Sequence, residues 1–431
     1  TELAGVPHHA LESYLPKLVK AGYKVAVCDQ LEDPKLTKKT VKSGVTELVT
    51  PGVAYNDSLL NQKENNFVAA CSFEKDRAGV AFLDISTGTF KAAQGSLDYI
   101  DILIQDFAPK EILLQREYVD GFRRKFGERA YISPLEEWAF NADSARKKLL
   151  QHFGSATLKG FGIDNLPLAV TAAGAILFYL EITEHHDLGH IRTISRIDRD
   201  GFMWIDRFTQ YNLEIFAGTR QDSLSLTDVL DCCSSPMGSR KMREWLAMPL
   251  KDSAAIARRH DVVECLVEDC QLREELRGAI SDIGDLERIV SKAAAARLLP
   301  REALQLGRGL VKIAEIIQKG ASTEQLRPLV SGLESCDELA AEIAAPLRPD
   351  AATAVGKGEV VAAGVDAELD QLRDILNNSK QILLDIQQRE KERTGIASLK
   401  VSYNNVFGYY LEVRNMYSDK VPQEWIRKQT L

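Results

Sequence analysis

Apolar positions in residues 365 to 393 recur at spacings of three and four. Leu369, Leu372, Leu376, Leu383 and Ile386 fall on the a and d positions of a heptad, with Ser379 in one d-type slot. Such a seam predicts one long helix, from Val365 to Arg393, packed along one face. Gly395 stops it, and the alternation in "SLKVSYNNVFGYYLEVRN" predicts two strands with a turn at Gly408. "PQEWIRKQTL", residues 422 to 431, carries a helical hint. At the other end, Leu11 to Lys20 reads as an amphipathic helix and Lys24 to Cys28 as a strand. A segment bearing Lys35, Lys38, Lys39 and Lys42 follows, so this part reads as the tail of an α/β unit.

"TPGVAYNDSLL" (50–60) has Pro and Gly where a linker would. After it, "NFVAACSFEKDRAGVAFLDISTGTFKAA" predicts three strands, the second and third forming a hairpin around Ser86 to Gly88. A helix near Leu97 to Phe107, a strand at Glu111 to Leu114 and further helices make residues 66 to about 180 an α/β domain. From Ile191 the pattern changes. One short β-like piece, "GFMWID", precedes nearly continuous helical periodicity, so the second domain is mainly α. Pro346, Pro349, Gly356, Gly358 and Gly364 mark a long loop before the heptad segment.

Composition changes this picture little. With 431 residues, 45% of them hydrophobic, the chain can bury a large core and divide into several domains. No run approaches the ~18 to 20 apolar residues needed to span a bilayer, and residues 1 to 30 lack signal-peptide order, so no membrane association is expected. The first residues already read as folded sequence without an initiating Met, which predicts further chain upstream. Seven scattered cysteines, an odd number, predict reduced thiols in a cytoplasmic protein. The net charge of -8 argues against a protein coated in nucleic acid but leaves room for a local basic surface.

Several constellations invite chemistry. Cys232 and Cys233 are adjacent, point different ways on a helix or turn, and read as buried packing residues. His186 and His190 are spaced i, i+4, a metal-ligand spacing on a helix, but Gly189 weakens that helix and no further Cys or His lies near. Asp84, on a hairpin strand, resembles the first carboxylate of a ribonuclease-H-like nuclease, with Asp98 and Asp101 on the next helix; the alternative is a turn carboxylate beside Ser86 and Thr87. "AVGKGEV" (354–360) lacks the spacing and hydroxyl of a phosphate-binding loop, so neither ATP nor magnesium is expected to bind this chain. Residues 396 to 431 differ in kind. Lys400, Arg414, Lys420, Arg427 and Lys428 stand against Glu412, Asp419 and Glu424, five basic against three acidic, for a net +2. With Tyr403, Asn404, Asn405, Tyr409 and Tyr410 interleaved, they suit sugar and phosphate contacts, or else an ordinary solvated face.

Four stretches together resemble the MutS DNA mismatch-repair proteins: "LAGVPHHALESYLPKLVKAGYKVAVCDQLEDP" (3–34), "VTPGV" (49–53), "LDCCSSPMGSRKMREWLAMPL" (230–250) and "REKERTGIASLKVSYNNVFGYYLEV" (389–413). "FLDISTGTF" and "LNQKENNFVAA" agree with them. The resemblance implies a multidomain α/β plus mainly α architecture: 1–49 the second half of a mismatch-recognition domain, 50–190 a connector of ribonuclease-H-like topology, 191–394 a helical core with a long lever helix, and 395–431 the start of a β-containing clamp. It places "PMGSR" on a core helix, makes Arg240 and Arg243 surface or interdomain charges, and makes Lys400, Asn404, Asn405, Arg414, Lys420, Arg427 and Lys428 the DNA-backbone candidates. It implies that the Phe-Xaa-Glu mismatch wedge precedes Thr1 and that a P-loop ATPase, with its ATP and magnesium, belongs to the full-length protein. Mismatched duplex DNA, a MutL-type protein reaching the connector and a second copy of the full-length chain are the implied partners, in the bacterial cytosol. The alternatives are a MutS-like paralogue serving as a structural scaffold, and a connector with residual nuclease activity.

Overall fold

A computed structural model describes residues 10–32, 42–128, 130–198, 200–217, 223–406 and 408–428. Lys35, Lys38 and Lys39 lie outside the described residues. The chain forms two units, one of Thr1–Ala344 with Ala352–Gly358, the other of Ala345–Ala351 with Glu359–Leu431.

In the first unit, α1 (Leu11–Lys20) turns Leu15 and Val19 inward toward the antiparallel pair β1 (Val25–Gln30) and β2 (Ser43–Val49); Val49, Ala54 and Leu60 complete a small core. A six-stranded sheet follows. β3 (Val68–Glu74), β4 (Arg77–Asp84) and β5 (Thr89–Ser96) form the expected antiparallel meander. β6 (Glu111–Gln115) runs parallel to β3, β7 (Tyr131–Leu135) parallel to β6, and β8 (Ser195–Arg196) parallel to β5. The order across the sheet is β7-β6-β3-β4-β5-β8. β3 and β4 read as nearly unbroken apolar runs because both their faces are covered. On one face α2 (Leu97–Phe107) and α3 (Val119–Phe126) pack around Phe82, Phe107 and Phe122; on the other lie α4 (Ala142–Phe153) and α5 (Pro167–Ile182) with Leu149, Ile176 and Leu180. Helix α5 is apolar almost all round and sits very close to β4: a Cβ on Gly79 would lie 2.2 Å from the carbonyl carbon of Leu168.

The helical part of this unit comprises α6 (Arg207–Asn212), α7 (Leu226–Leu230), α8 (Pro236–Ala247), α9 (Ser253–Glu268), α10 (Cys270–Ile283), α11 (Leu286–Ala294), α12 (Pro300–Ser322), α13 (Arg327–Val330) and α14 (Asp337–Ala344). Asp206, Ser225, Ser235, Asp252, Asp269 and Asp285 cap six of these helices by accepting backbone N–H bonds of their first turns. Leu276, Ala279, Ile283, Leu304, Leu310 and Ala340 supply buried apolar side chains on α10, α12 and α14. "GFMWID" contributes only a bridge between Phe202 and Leu250, and the strand expected there is found instead at Ser195–Arg196.

The second unit corrects the heptad reading. The segment forms two helices, α15 (Ala367–Asn377) and α16 (Ser379–Thr394), separated at Asn378 (φ -99°, ψ 13°). Consecutive Asn377, Asn378 and Ser379 are weak helix formers whose side chains compete for backbone hydrogen bonds. Leu372 and Leu376 are exposed, and no residue of either helix is fully buried. Gly395 ends α16 in the left-handed region, as expected, with φ +67°. β9 (Lys400–Asn404) and β10 (Gly408–Glu412) pair antiparallel. The helical hint after Pro422 is not realised: described residues 422–428 carry a turn and irregular backbone.

Candidate functional site

The hairpin register arranges the DNA-backbone candidates. Lys400 faces Glu412 and Ser402 faces Tyr410 on one side of the ribbon, while Val401 with Leu411 and Tyr403 with Tyr409 share the other. The Tyr403 and Tyr409 rings meet edge-on at 5.1 Å, both well exposed. Asn404, half-buried, uses its side-chain oxygen locally, accepting the Val406 N–H at 2.7 Å. Lys400, Asn405, Arg414, Lys420, Arg427 and Lys428 are exposed. Arg414 precedes and Lys420 ends a short 3-10 turn, and Arg427 and Lys428 extend from a segment anchored by Glu424, which pairs with Arg393 of α16 at 2.7 Å. The seven residues therefore spread along the hairpin and its continuation and do not converge on one point.

The densest polar constellation lies elsewhere in the first unit, around Arg240 and Arg243, for which the sequence left open surface and interdomain roles. Arg240 of α8 is 5% exposed. It donates to both carboxylate oxygens of Asp285 at 2.8 Å, to Glu287 at 2.6 Å and to the carbonyl of Gln62 at 2.9 Å. Arg288 of α11, 4% exposed, donates to the carbonyls of Asn61 and Glu64 at 2.9 and 2.8 Å. Ser291 donates to the carbonyl of Ser86 at 2.6 Å, and Lys292 reaches Asp57 at 2.5 Å and Glu302 at 2.6 Å. The loop 56–66 that leads into the sheet is thus held to the helical part through its backbone oxygens. At the rim Arg243 approaches Glu64 at 3.4 Å, and Lys63 pairs with Asp231 at 2.9 Å.

A second buried knot ties the linker to the sheet. Glu111 at the head of β6 is fully buried and accepts from the Thr50 hydroxyl (2.5 Å), the Gly52 N–H (3.1 Å), the Tyr179 hydroxyl (2.6 Å) and the Ser133 hydroxyl, with Lys24 3.6 Å away. A Cβ on Gly52 would stand 2.6 Å from that of Glu111, so the glycine of "TPG" is required by close approach. The local signals were a charge opening an apolar strand and a Pro-Gly linker; neither says that the two meet.

The remaining candidates resolve as structural groups. Asp84 is fully buried, accepting from the Ser86 N–H and hydroxyl, the Asn66 N–H and the Asn65 amide at 2.7 to 3.0 Å, which is the turn-carboxylate role. Asp98 opens α2 at the opposite end of the β4–β5 hairpin and pairs with Lys125. His186 and His190 follow the end of α5, in non-helical backbone: His186 contacts Glu184, and His190 sits against the Ile85 carbonyl at 2.7 Å. The packing role is overturned for Cys232, which is exposed in the irregular link before α8, while Cys233 is only half-buried, against that helix. A cleft of about 520 Å³ opens beside Arg240, between α2, α6 and α8. In it Gln105 donates to Gln210 at 2.7 Å and Gln210 donates to Asp106 at 2.5 Å. Burial pushes the Asp106 carboxyl up to about 7 against the lowering effect of Gln210.

Comparison with known proteins accounts for nearly all of the chain. Residues 1–58 match the family model of MutS domain I, 66–192 that of MutS domain II and 209–401 that of MutS domain III. The DNA mismatch repair protein MutS of Phocaeicola vulgatus is 51% identical over 432 aligned positions, covering 100% of this chain and 50% of that protein. Those of Porphyromonas gingivalis and Flavobacterium psychrophilum are 50% and 48% identical, again across 100% of this chain and over 48% and 50% of their own lengths. The chain spans about half the length of the curated relatives it matches. With three domain models in order and relatives of this identity aligned from end to end, the chain belongs to the MutS family of DNA mismatch repair proteins.

Proposed function

We propose that this chain is the central segment of a mismatch-repair protein, one that holds duplex DNA and couples mismatch recognition to an ATPase elsewhere in the full-length molecule. Residues 1–49 serve as the later part of the recognition domain, 50–190 as connector, 191–394 as core and 395–431 as the start of the clamp. The antiparallel β3-β4-β5 meander continued by parallel β6 and β7 supports a ribonuclease-H-like reading of the connector. The occupied oxygens of Asp84 favour a structural role over a nuclease one. ATP and magnesium act in the full-length protein, which pairs with a second copy and presents its connector to a MutL-type partner. Among the described residues no helix is long and apolar enough to cross a membrane.

The observation that carries the DNA-holding role is the exposure of Lys400, Asn405, Arg414, Lys420, Arg427 and Lys428 along one ribbon and its continuation. Exposed cations on a hairpin suit phosphates, which position a protein on the duplex without reading sequence. In the full-length protein, Arg427→Glu with Lys428→Glu should weaken matched and mismatched duplex by the same factor. Every phosphate deprived of its cation should flatten the slope of log affinity against log salt by about 0.9. Fluorescence-anisotropy titrations of both duplexes at several salt concentrations measure this. Unchanged affinities and slope would make these two side chains ordinary surface charges, and a weakening confined to mismatched duplex would overturn the backbone role.

A further inference from the structure

Cys232 and Cys233 stand in the irregular link between α7 and α8, where the Cys232 N–H donates to the Leu230 carbonyl at 2.8 Å. One thiol is open to solvent and the other half-buried against α8, where its Sγ lies 3.5 Å from the point a Cβ on Gly238 would occupy. The residue before them is the anchor of the rim. Asp231 accepts the Cys233 N–H at 3.3 Å and the Ser239 hydroxyl at 2.8 Å on one oxygen, and the Lys63 ammonium at 2.9 Å on the other. Although burial opposes it, the Lys63, Ser239 and Cys233 bonds hold the Asp231 carboxyl down at about 2. Lys63 belongs to loop 56–66, so Asp231 joins that loop to the start of α8.

We propose that Cys232 and Cys233 form a redox-responsive vicinal dithiol, modified by small disulfides of the glutathione type, whose closure to a disulfide loosens the Asp231 contacts that hold loop 56–66. The exposed Cys232 thiolate attacks the external disulfide, forming one S–S bond and expelling one small thiol. Cys233 then attacks the Cys232 sulfur of that mixed disulfide, losing its proton to solvent and expelling the second small thiol. The two protein sulfurs give up two electrons and the external disulfide is reduced to two thiols, so no further oxidant enters. Because the attacking group is the next residue, the second step is intramolecular and outruns capture of a second external molecule.

The ring formed has eight members, and the Cys232–Cys233 peptide is one of its sides. Neighbouring Cα atoms are about 3.8 Å apart, closer than the ~4.4 to 6.8 Å of ordinary disulfides. The peptide must therefore rotate or distort to close the ring, and the N–H it carries is the one bonded to Asp231. The irregular backbone of the link permits that rotation, where a helix would forbid it. Strain also makes the bond easily reduced, which distinguishes a responsive disulfide from a structural one.

The test uses the full-length protein, equilibrated in glutathione buffers of graded oxidised-to-reduced ratio, quenched in acid, alkylated and mapped by peptide mass. The peptide carrying both cysteines should pass from two alkyl groups to none, with the loss of two hydrogens. Cys232→Ser and Cys233→Ser should each abolish that loss and leave the remaining thiol alkylated or glutathionylated. The proposal is overturned if the wild-type peptide stays doubly alkylated throughout, if each cysteine carries its own glutathione, or if either joins a different cysteine. Hydrogen exchange gives the second readout. Oxidation should speed exchange in residues 56–66, Asp231→Asn should do the same in the reduced protein, and oxidation should have no such effect in Cys232→Ser. Unchanged exchange in the closed form would overturn the link to the loop.

Discussion

Replacing Arg240 by alanine tests the buried junction most directly. The guanidinium is 5% exposed and makes four hydrogen bonds to three partners. The partners are affected unequally. Glu287, with a side chain 45% exposed, regains water, whereas Asp285, at 16%, loses two charge-assisted bonds and keeps the Arg288 N–H at 3.4 Å and the Arg288 guanidinium at 3.9 Å. Removing one partner of a buried ion pair costs about 3 to 5 kcal/mol, because the other charge stays buried without compensation. Because Arg288 still offsets part of the Asp285 charge, Arg240→Ala should fall at the low end, about 3 kcal/mol, with the Gln62 carbonyl losing its guanidinium donor as well. Arg240→Lys keeps the charge but replaces a planar fork with a point donor, so it should recover only part of the loss. Lys63→Ala, at the exposed rim, should cost far less than either change at Arg240. Denaturant melts rank the three, and since a chain of this size need not unfold in two states, hydrogen exchange at residues 56–66 supplies the local readout. If Arg240→Ala stays within about 0.5 kcal/mol of wild type, or loop exchange is unmoved, the arginine is not holding the loop.

Four further outcomes follow from the same geometry. Leu376→Ala should change stability by less than about 0.5 kcal/mol because that side chain is 76% exposed, whereas Leu399→Ala, fully buried, should cost about 2 to 5 kcal/mol; equal effects in denaturant melts would restore a packed heptad seam. Gly52→Ala should destabilise by about 1 to 3 kcal/mol through overpacking against Glu111 and Val68, seen as a lowered Tm. Asp106 has its folded pKa raised above 3.8 to about 7, so its contribution is complete below about pH 4 and is lost as pH rises through 7. Melting wild type and Asp106→Asn between pH 5 and pH 8 should show a decline in the first that is absent in the second, and parallel pH profiles would contradict the assignment.

The elements that were legible in the sequence are those whose information is local. Helix Leu11–Lys20 and the β3-β4-β5 meander announce themselves by periodicity and by the turn residues at Ser86 to Gly88. The break at Asn378 also had a local signal, three consecutive poor helix formers, but the heptad count overrode it, and a heptad count says where apolar residues recur without saying that anything covers them. The polar junction had almost no local signal. Arg240 reads as one more basic residue in "GSRKMREW", and only its pairing with Asp285, 45 positions away, and Gln62, 178 positions away, makes it a buried group. Cys232 was misread for the converse reason: free cysteine is so often buried that composition favours packing, while exposure depends on a link whose conformation is set by Asp231 and the Ser235 cap.

The chemistry of the junction explains why its two sides look so different in the sequence. Arg240 and Arg288 address the carbonyls of Asn61, Gln62 and Glu64, and a carbonyl is present whatever side chain its residue bears. The loop side thus tolerates substitution as long as its backbone path is kept, and that path is fixed by short-range turns: Asn56 accepts the Ser58 N–H at 2.9 Å and Asn61 accepts the Lys63 N–H at 3.1 Å. The helical side has no such freedom, since only a guanidinium can reach an aspartate and a carbonyl at once in fixed geometry. Apolar side chains of equal volume could stabilise such a boundary as well or better. They would also let the loop slide, because hydrophobic contact is non-directional. Directional bonds to backbone oxygens select one register of loop against helix, which non-directional contact of equal strength would leave open.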